Sequence, residues 1–458
     1  MITRREFVKD GLAALGFLAL PGGLFAAPAD WKPAKKPNLV LGVLSDTHLQ
    51  VGWDGTSVHK LFPHTYVRNA MKLFKKRNID AFVHLGDAAH RGITRELEFH
   101  RELFEEAFGT RGGPVKLFIV GNHEWYGEAF KGGGGVTAAG LWKDPVERAK
   151  HTLCADMPRR WEQVWGEKYE EVWHKEVKGY HFFGRHYGAE ERKIARLVKV
   201  IEKKQGFRDG RRPFFVLSHI RPHAALNKAM AKFPEAISLF GHWHNSSSNW
   251  NVIFDWGGAV AIQVPACLPK GWLPFAHDAY ITKAKLEGGE REKIGVARQG
   301  YVFRLYDDMM AIERREFGEG GSLGTDWIMP LDACKIENGK VKPHPFSREE
   351  LKKVIGEPQF REGAKLVVEG GKVKIPLADG NPKCRVYAYE VAVDGKLRKA
   401  VYAAGGNMGI GHETNGGVTE VEIPNQDLPA GAAAAIAVTP LSSLGTRGLP
   451  ITINSFRG

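Results

Sequence analysis

The sequence predicts a layered α/β domain followed by an all-β region, and three observations support this fold class. Five short, nearly uninterrupted apolar runs in the first half are typical of strands buried on both faces. Amphipathic segments with helical spacing lie between several of these runs, and strands alternating with helices indicate layered α/β architecture. From about residue 358, short strand-like runs are separated by Gly, Asn and Asp turns.

Each of the five apolar runs leads into polar residues that can bind a metal. The runs span residues 39–44, 82–85, 115–120, 214–217 and 237–240. Open α/β sheets bind ligands just beyond the carboxyl ends of their strands, so these side chains are expected at one edge. One Asp or His after a strand is usually a turn or cap residue, but five coincident endings favour a metal site. The Asp, His and Asn side chains at these endings form a carboxylate and imidazole mixture that suits divalent cations; they are Asp46, His48, Asp87, Asn122, His123, His219, His242 and His244.

Three amphipathic segments predict helices between the strands. Thr65 is expected to cap the first helix, with the apolar side chains from Val67 to Phe74 on one face. The second and third helices are predicted over residues 94–108 and 189–204, and another strand is predicted over 180–183.

The metal-binding residues occur in the order found in one known family. The chain resembles the calcineurin-like metallophosphoesterases from about residue 38 to 244, with similar character to about residue 318. The resemblance implies that family's fold, a two-sheet β-sandwich flanked by helices with the metals at one edge. The motifs that carry it are Asp46-x-His48, Gly86-Asp87, Gly121-Asn122-His123, His219 and Gly241-His242-x-His244.

The resemblance also implies a reaction and its cofactors. Two divalent or trivalent ions (Mn, Fe or Zn) are expected, with Asp87 bridging them. Asp46, His48 and His244 would hold the first ion, and Asn122, His219 and His242 the second. The implied enzyme is a metal-dependent phosphoric ester hydrolase that cleaves a phosphomonoester or phosphodiester by metal-bridged hydroxide attack. His123 would orient the phosphate and protonate the leaving oxygen.

Three further residues near the motifs have more than one interpretation. His90 lies where the purple acid phosphatase branch carries an iron-binding tyrosine, so an Fe(III)–tyrosinate centre is disfavoured. His90 could contact substrate or metal, or cap a helix. Arg221 could contact phosphate, or it could be a surface arginine. His84, inside a strand, is expected to be a hydrogen-bonded core histidine.

Residues 1–29 resemble a twin-arginine export signal. Arg4-Arg5 is followed by an uncharged run over residues 11–29 and an Ala-x-Ala cleavage site at Ala27-Pro28-Ala29. We expect the mature protein to be periplasmic or extracellular, with no stable membrane span after cleavage. An uncleaved membrane anchor is the alternative.

The remaining segments complete the predicted domain organisation. The metallophosphoesterase domain is expected over residues 36–318, a linker over 319–357, and a fibronectin type III-like β-sandwich over 358–458. Residues 125–180 are an insertion whose glycine run could form a substrate lid or a surface loop, and whose tryptophans are expected to be core residues. Four widely spaced cysteines without a Cys-x-x-Cys motif argue against thiolate zinc, and free buried thiols are expected unless disulfides form.

Charge and composition leave other functions open. The 458 residues carry a net charge of +13, which suits a phosphate ester substrate and also a nuclease or nucleotidase. No ordered array of basic and aromatic residues supports nucleic-acid binding, and no dedicated protein partner is inferred. A non-catalytic binding or adhesion protein is the alternative from another class.

Overall fold

The computed structural model describes most of the chain. The described residues are 33, 35–49, 64–90, 92, 94–125, 153–188, 190–203, 212–221, 226, 228, 233, 235–244, 247, 252–256, 259–267, 298–318, 321–323, 326–331, 336–337, 340–341, 356–369, 372–378, 386–403, 419–422, 434–442 and 445–456. The predicted export signal and the glycine run of the insertion therefore lie outside the described residues.

Helices and strands alternate in the first half, as the sequence predicts. The helices are α1 (Thr65–Lys76), α2 (Thr94–Phe108), α3 (Leu153–Trp165) and α4 (Glu190–Lys203), with a 3₁₀ turn at His123–Trp125. The strands of this half are β1 (Leu39–Leu44), β2 (Ala81–His84), β3 (Val115–Phe118), β4 (Val172–Val177), β5 (Tyr180–Arg185), β6 (Phe214–Ser218), β7 (Ala236–Phe240), β8 (Ile253–Trp256) and β9 (Ala259–Gln263).

The second half consists of strands in the part of the chain that the structure describes. They are β10 (Gln299–Leu305), β11 (Met309–Glu316), β12 (Gly321–Ser322), β13 (Trp327–Pro330), β14 (Ile336–Glu337), β15 (Lys340–Val341), β16 (Val367–Glu369), β17 (Lys372–Ile375), β18 (Val386–Val393), β19 (Lys396–Tyr402), β20 (Thr419–Glu422), β21 (Ala434–Ser442) and β22 (Ile451–Phe456).

Two mixed sheets form the first domain. The first sheet has the order β12-β11-β10-β1-β2-β3, with β13 also paired to β11, and the second has the order β4-β5-β6-β7-β9-β8. β1, β2 and β3 are parallel to one another, and so are β5, β6, β7 and β9. The parallel strands of each sheet therefore end at a common edge, where ligands bind in open sheets.

The strand pattern explains why the sheets stack and why helices cover them. Leu39, Leu41 and Val43 of β1 belong to a buried cluster that includes side chains of both sheets. The alternate residues, Val40 and Leu44, lie in a second cluster with side chains of α1, α2 and α3. On the far side of the second sheet, α4 covers β5, β6 and β7. Successive strand residues point to opposite faces, so β1 is apolar throughout because both of its faces are covered.

The fold class predicted from the sequence is confirmed, with local differences. Thr65 is the first residue of α1 rather than its cap; His64 holds the cap position and makes no side-chain capping bond. β3 ends at Phe118, two residues before the predicted end. The insertion contributes α3 and β4, and its Trp161, Trp165 and Trp173 are buried as core residues. The first sheet continues to β13, inside the segment predicted as a linker.

The C-terminal region is a separate all-β unit. A three-stranded sheet, β16-β17-β20, and a four-stranded sheet, β19-β18-β21-β22, contribute to one buried cluster. Tyr389 on β18 links the two sheets through the segment that follows β17. Its hydroxyl accepts the Ala378 N–H at 2.8 Å and donates to the Pro376 carbonyl at 3.2 Å. The fibronectin type III-like assignment stays a prediction.

Two further findings concern thiols and membranes. Cys267 is buried with a free thiol, as expected, and burial raises the pKa of that thiol. Among the described residues, none of the helices has both the length and the apolar character needed to span a bilayer.

Candidate metal centre

Backbone hydrogen bonds join the loops at the carboxyl ends of the strands of both sheets. The Asp46 N–H donates to the Gly86 carbonyl at 3.0 Å, and the His48 N–H donates to the Asp87 carbonyl at 2.9 Å. Across the sandwich, the His242 N–H donates to the Asp46 carboxylate at 3.0 Å. The strand ends of the two sheets therefore converge on one site, as their polar endings predict.

Most of the predicted ligands have a backbone conformation that side chains rarely adopt. Five of the seven lie in the left-handed region, which costs roughly 1–2 kcal/mol per residue for residues other than glycine. Such conformations concentrate at functional sites where surrounding contacts enforce them. The φ angles are 51° for Asp46, 41° for His48, 52° for Asp87, 73° for His242 and 52° for His244.

One group of ligands, which we call the first group, is fully buried. It comprises Asp46, His48, Asp87 and His244, whose potential ligand atoms all lie within 4.8 Å of one another. The Nε2 atoms of His48 and His244 are 3.1 Å apart, and His244 Nε2 is 3.3 Å from Asp46 Oδ1. The Ser45 hydroxyl donates to Asp46 Oδ2 at 2.5 Å and fixes that carboxylate.

The second group shares Asp87 with the first. Asp87, His219 and His242 have potential ligand atoms within 4.8 Å of one another. His219 Nδ1 donates to the Leu85 carbonyl at 2.8 Å, which directs Nε2 to the site. That Nε2 atom lies 2.9 Å from Asn122 Oδ1, 3.2 Å from Asp87 Oδ2 and 3.2 Å from His242 Nδ1.

These donor sets fit metal ions. Imidazole nitrogens and carboxylate oxygens converge in each group, and their lone pairs repel one another unless a proton or a cation lies between them. Buried His and Asp in this mixture suit zinc, manganese or iron rather than calcium. The chain therefore brings together all seven predicted ligands in a form that can hold metal ions, although the assignment of each residue to one ion stays a prediction.

The carboxylates and imidazoles of the site shift one another's pKa values. Burial raises the pKa of the Asp87 carboxyl, but the charges of His219, His123 and His48 hold that pKa well below its usual range. Burial lowers the pKa of His219, but the Asp87 carboxylate raises it to about 9. For His48 the effect of burial exceeds that of the Asp87 charge, so the pKa of His48 stays well below its usual value. Metal binding at the second group would therefore release a proton from His219.

His123 faces the site without belonging to either group. Its backbone N–H donates to Asp87 Oδ1 at 2.9 Å, and its Nδ1 donates to the His90 carbonyl at 2.5 Å. Its Nε2 is thereby directed to the centre, 3.9 Å from Asp87 Oδ2. The His123 side chain is 21% exposed, whereas that of Asp87 is 2% exposed. His123 is thus placed where a ligand from solvent could meet Nε2, as an acid would require.

Glu124 is a site residue that the sequence interpretation missed. Its buried carboxylate accepts the N–H groups of Asp87 at 3.0 Å, Ala89 at 3.0 Å and Gly121 at 2.6 Å. Burial, then the nearby Asp87 charge, raises the pKa of Glu124 to about 7. A carboxylate directly after the Asn-His pair could have signalled this role, because loops that hold a metal need acceptors for their amides.

Gly121 and Gly86 explain why the loops can approach so closely. A Cβ on Gly121 would collide with the Asp87 carboxylate, and one on Gly86 would lie 2.7 Å from His219 Nδ1. Gly86 also has a φ of +96°, which glycine adopts without strain.

The remaining candidates have defined positions. His90 lies with His48 and His123 in a third cluster whose potential ligand atoms are within 4.8 Å of one another. The Arg221 guanidinium stacks over Trp243 at 5.3 Å and Phe254 at 4.7 Å, so aromatic rings hold it next to the ligand loops. Substrate contact by His90 or Arg221 stays a prediction.

His84 confirms its predicted role as a core histidine. Its Nε2 lies 3.1 Å from the Thr47 hydroxyl, inside the protein.

Several known structures are similar to this chain at low sequence identity. A dimetal phosphatase from Danio rerio has a TM-score of 0.36 and 12% identity, covering 64% of this chain and all of that one. A purple acid phosphatase from yellow lupin, Lupinus luteus, has a TM-score of 0.41 and 12% identity over 66% of this chain and 58% of that one. Vps29 from Entamoeba histolytica, complexed with zinc, has a TM-score of 0.30 and 8% identity over 64% of this chain and 99% of that one.

Two searches by sequence complete the comparison. No curated protein matches the chain. The family model of the calcineurin-like phosphoesterases matches residues 39–246, the segment that contains every predicted ligand and His123. The match of residues 39–246 to this family model supports a metal-dependent phosphoester hydrolase as the activity of the site.

Proposed function

We propose that the protein hydrolyses a phosphomonoester or phosphodiester at a centre of two metal ions, with His123 as the general acid. The observation that carries this proposal is the pair of ligand groups that share Asp87, with His123 Nε2 facing the shared carboxylate. One bridging carboxylate between two sets of imidazoles suits two neighbouring cations better than one. The identity of the ions is left to measurement, with Mn, Fe and Zn as candidates.

The bound ions would supply positive charge to the phosphoryl oxygens and increase the acidity of a water molecule that attacks phosphorus. The chain supplies the rest of the chemistry. Asp87, held by the His123 amide at 2.9 Å, keeps the two groups at a fixed separation. The His123 Nδ1–H donates to the His90 carbonyl, which leaves Nε2 facing the site. In the imidazolium form Nε2 carries a second proton, and this is the proton that would pass to the leaving oxygen.

The first experiment measures turnover of an aryl phosphomonoester and an aryl phosphodiester by the protein loaded with Mn²⁺. We expect hydrolysis of at least one ester and its loss in His219→Ala, which removes a ligand of the second group. His174→Ala is the matched control, because His174 is a half-buried histidine on β4 outside the ligand groups. Turnover of neither ester by protein that contains two ions would favour a binding or adhesion protein.

The natural substrate requires a second measurement. Nucleotides, cyclic nucleotides, sugar phosphates, phospholipids and single-stranded DNA would be compared by kcat/KM under the same metal loading. A preference for nucleic acid of at least tenfold over every small ester would favour the nuclease alternative.

We also propose that the protein acts outside the cytoplasm. The support is the order of Arg4-Arg5, the uncharged run and Ala27-Pro28-Ala29 in the sequence. Twin-arginine export carries folded proteins, so an enzyme of this kind could bind its metals before export. Replacing Arg4 and Arg5 by Lys should leave the precursor inside the cell, as cell fractionation would reveal. Normal export of the doubly substituted protein would contradict the proposal.

A further inference from the structure

Arg160 is a buried cation that belongs to neither ligand group. It lies on α3, in the segment between the strands that carry the motifs, and is 3% exposed. Its guanidinium donates to the carbonyl oxygen of Gly92 and, at 3.0 Å, to the carbonyl oxygen of Glu124. One side chain thus connects the loop after β2 to the turn after β3.

These two carbonyls belong to the segments that orient His123. Gly92 is two residues after His90, whose carbonyl accepts the His123 Nδ1–H at 2.5 Å. Glu124 comes directly after His123 and binds the amides of the ligand loops through its carboxylate. The His123 ring is therefore held by two backbone segments, and Arg160 donates to both.

Gly92 packs closely against the His123–Trp125 turn. Gly92 has a φ of +65°, and a Cβ at this position would collide with the carbonyls of His123 and Glu124. At Gly92 the loop therefore packs directly against the backbone of the turn. Two carbonyl oxygens that accept from one guanidinium are held together by its charge, as Arg160 holds those of Gly92 and Glu124.

We propose that Arg160 is a positioning residue, which fixes the orientation of His123 Nε2 by joining the Gly92 loop to the His123–Trp125 turn. Arginine suits this task because its planar guanidinium presents several N–H donors in a fixed fork, whereas lysine concentrates its donors at one point. The inference rests on the proposed function, since it assigns the orientation of the proposed acid. The inference also assigns a role to the insertion, because Arg160 lies on α3, which belongs to the insertion and not to the strands that end in the motifs.

The test compares Arg160→Met and Arg160→Lys with wild type in metal content and in hydrolysis of two monoesters. Both variants should retain the wild-type metal content. For an alkyl phosphate, which needs protonation of its leaving oxygen, kcat of Arg160→Met should fall about 10²-fold, in line with the typical effect of a displacement of about 1 Å. For nitrophenyl phosphate the fall should be less than threefold. Arg160→Lys keeps the charge but concentrates its donors at one point, so its kcat for the alkyl phosphate should lie between those of wild type and Arg160→Met. This variant remains the test if the methionine variant does not fold.

Arg101→Met is the matched control. Arg101 on α2 also donates to a backbone carbonyl, that of Val164 on α3 at 3.2 Å, and this bond does not contact a ligand loop. Arg101→Met should change kcat by no more than twofold for either ester. In a His123→Ala background, Arg160→Met should add no further loss on the alkyl phosphate, because the group that it orients is already absent.

A readout that does not depend on turnover separates this proposal from the proposed function. The NMR signals of the His123 ring should shift in Arg160→Lys, while those of His174 stay unchanged. Equal losses on both esters, additivity with His123→Ala, or an unchanged His123 signal would each overturn the positioning role. Absence of hydrolysis in wild type together with a shifted His123 signal would reject the proposed function and retain the role of Arg160.

Discussion

The two ligand groups of the centre differ in burial and in charge although they share Asp87. The first group has two carboxylates and two histidines, and all four residues are buried. The second group has only the shared carboxylate, with His219 buried and His242 half-buried. In the second group, moreover, His219 attracts a proton, whereas burial holds the pKa of His48 in the first group well below its usual value.

This difference indicates how the two positions would divide their tasks. A buried position with two carboxylates binds a cation strongly and exchanges it slowly, because its ligands are shielded from water and carry more charge. A position that is partly open to solvent can exchange its ion and can receive an oxygen of the substrate. We therefore expect the ion of the first group to exchange slowly and the ion of the second group to exchange more readily.

The largest effect should come from Asp87, the residue that the two groups share. Asp87→Asn removes the charge that bridges them, so both ions should be lost and hydrolysis should fall to background. Elemental analysis after gel filtration measures the metal content, with Asp307→Asn, an exposed aspartate, as the control. One ion that stays bound at wild-type affinity in Asp87→Asn would defeat the assignment of a shared ligand.

A smaller and unequal effect should distinguish the two groups directly. His48→Ala should lose the ion of the first group and, since that group is buried, should also lower the melting temperature. His242→Ala should lose only the ion of the second group and should leave the melting temperature closer to that of wild type, because His242 is half-buried. Metal analysis and thermal unfolding of the two variants measure both quantities. If His242→Ala destabilised the protein more than His48→Ala, the comparison of the groups would be wrong.

The smallest effect on metal content should come from His123, which lies beside both groups. His123→Ala should retain both ions and should lower kcat by about 10²–10⁴-fold for an alkyl leaving group, the usual range of general acid catalysis. For nitrophenolate the loss should be much smaller, since that group leaves without a proton. His242→Ala provides the contrast, because it should impair both substrates alike. Loss of a metal in His123→Ala would identify it as a ligand instead.

The sequence predicted the fold class and the convergence of the ligands because both depend on local patterns. Apolar runs that end in Asp, His or Asn specify a strand and the polar loop at its carboxyl end, so Asp46 and His244 could be assigned to one edge before their contact was known. Glu124 was missed because its role depends on three amides from two different loops, and Arg160 because helix α3 reaches the site from far along the chain. The extension of the first sheet to β13 was missed because a short strand at a sheet edge has little periodicity.

The left-handed backbone of the ligands has a consequence for engineering the protein. Each such residue disfavours the folded chain by about 1–2 kcal/mol relative to an ordinary conformation, and glycine at the same position would relieve most of that cost. Bound metal offsets this cost, since a cation at a concentration of 100 times its Kd stabilises the native state by about 2.7 kcal/mol. Selection for heat resistance in the presence of a chelator would therefore favour glycine at positions 48, 242 and 244, and the same selection with metal present would retain the histidines. Asp46 and Asp87 are different, because their carboxylates also accept the backbone N–H groups of His242 and His123.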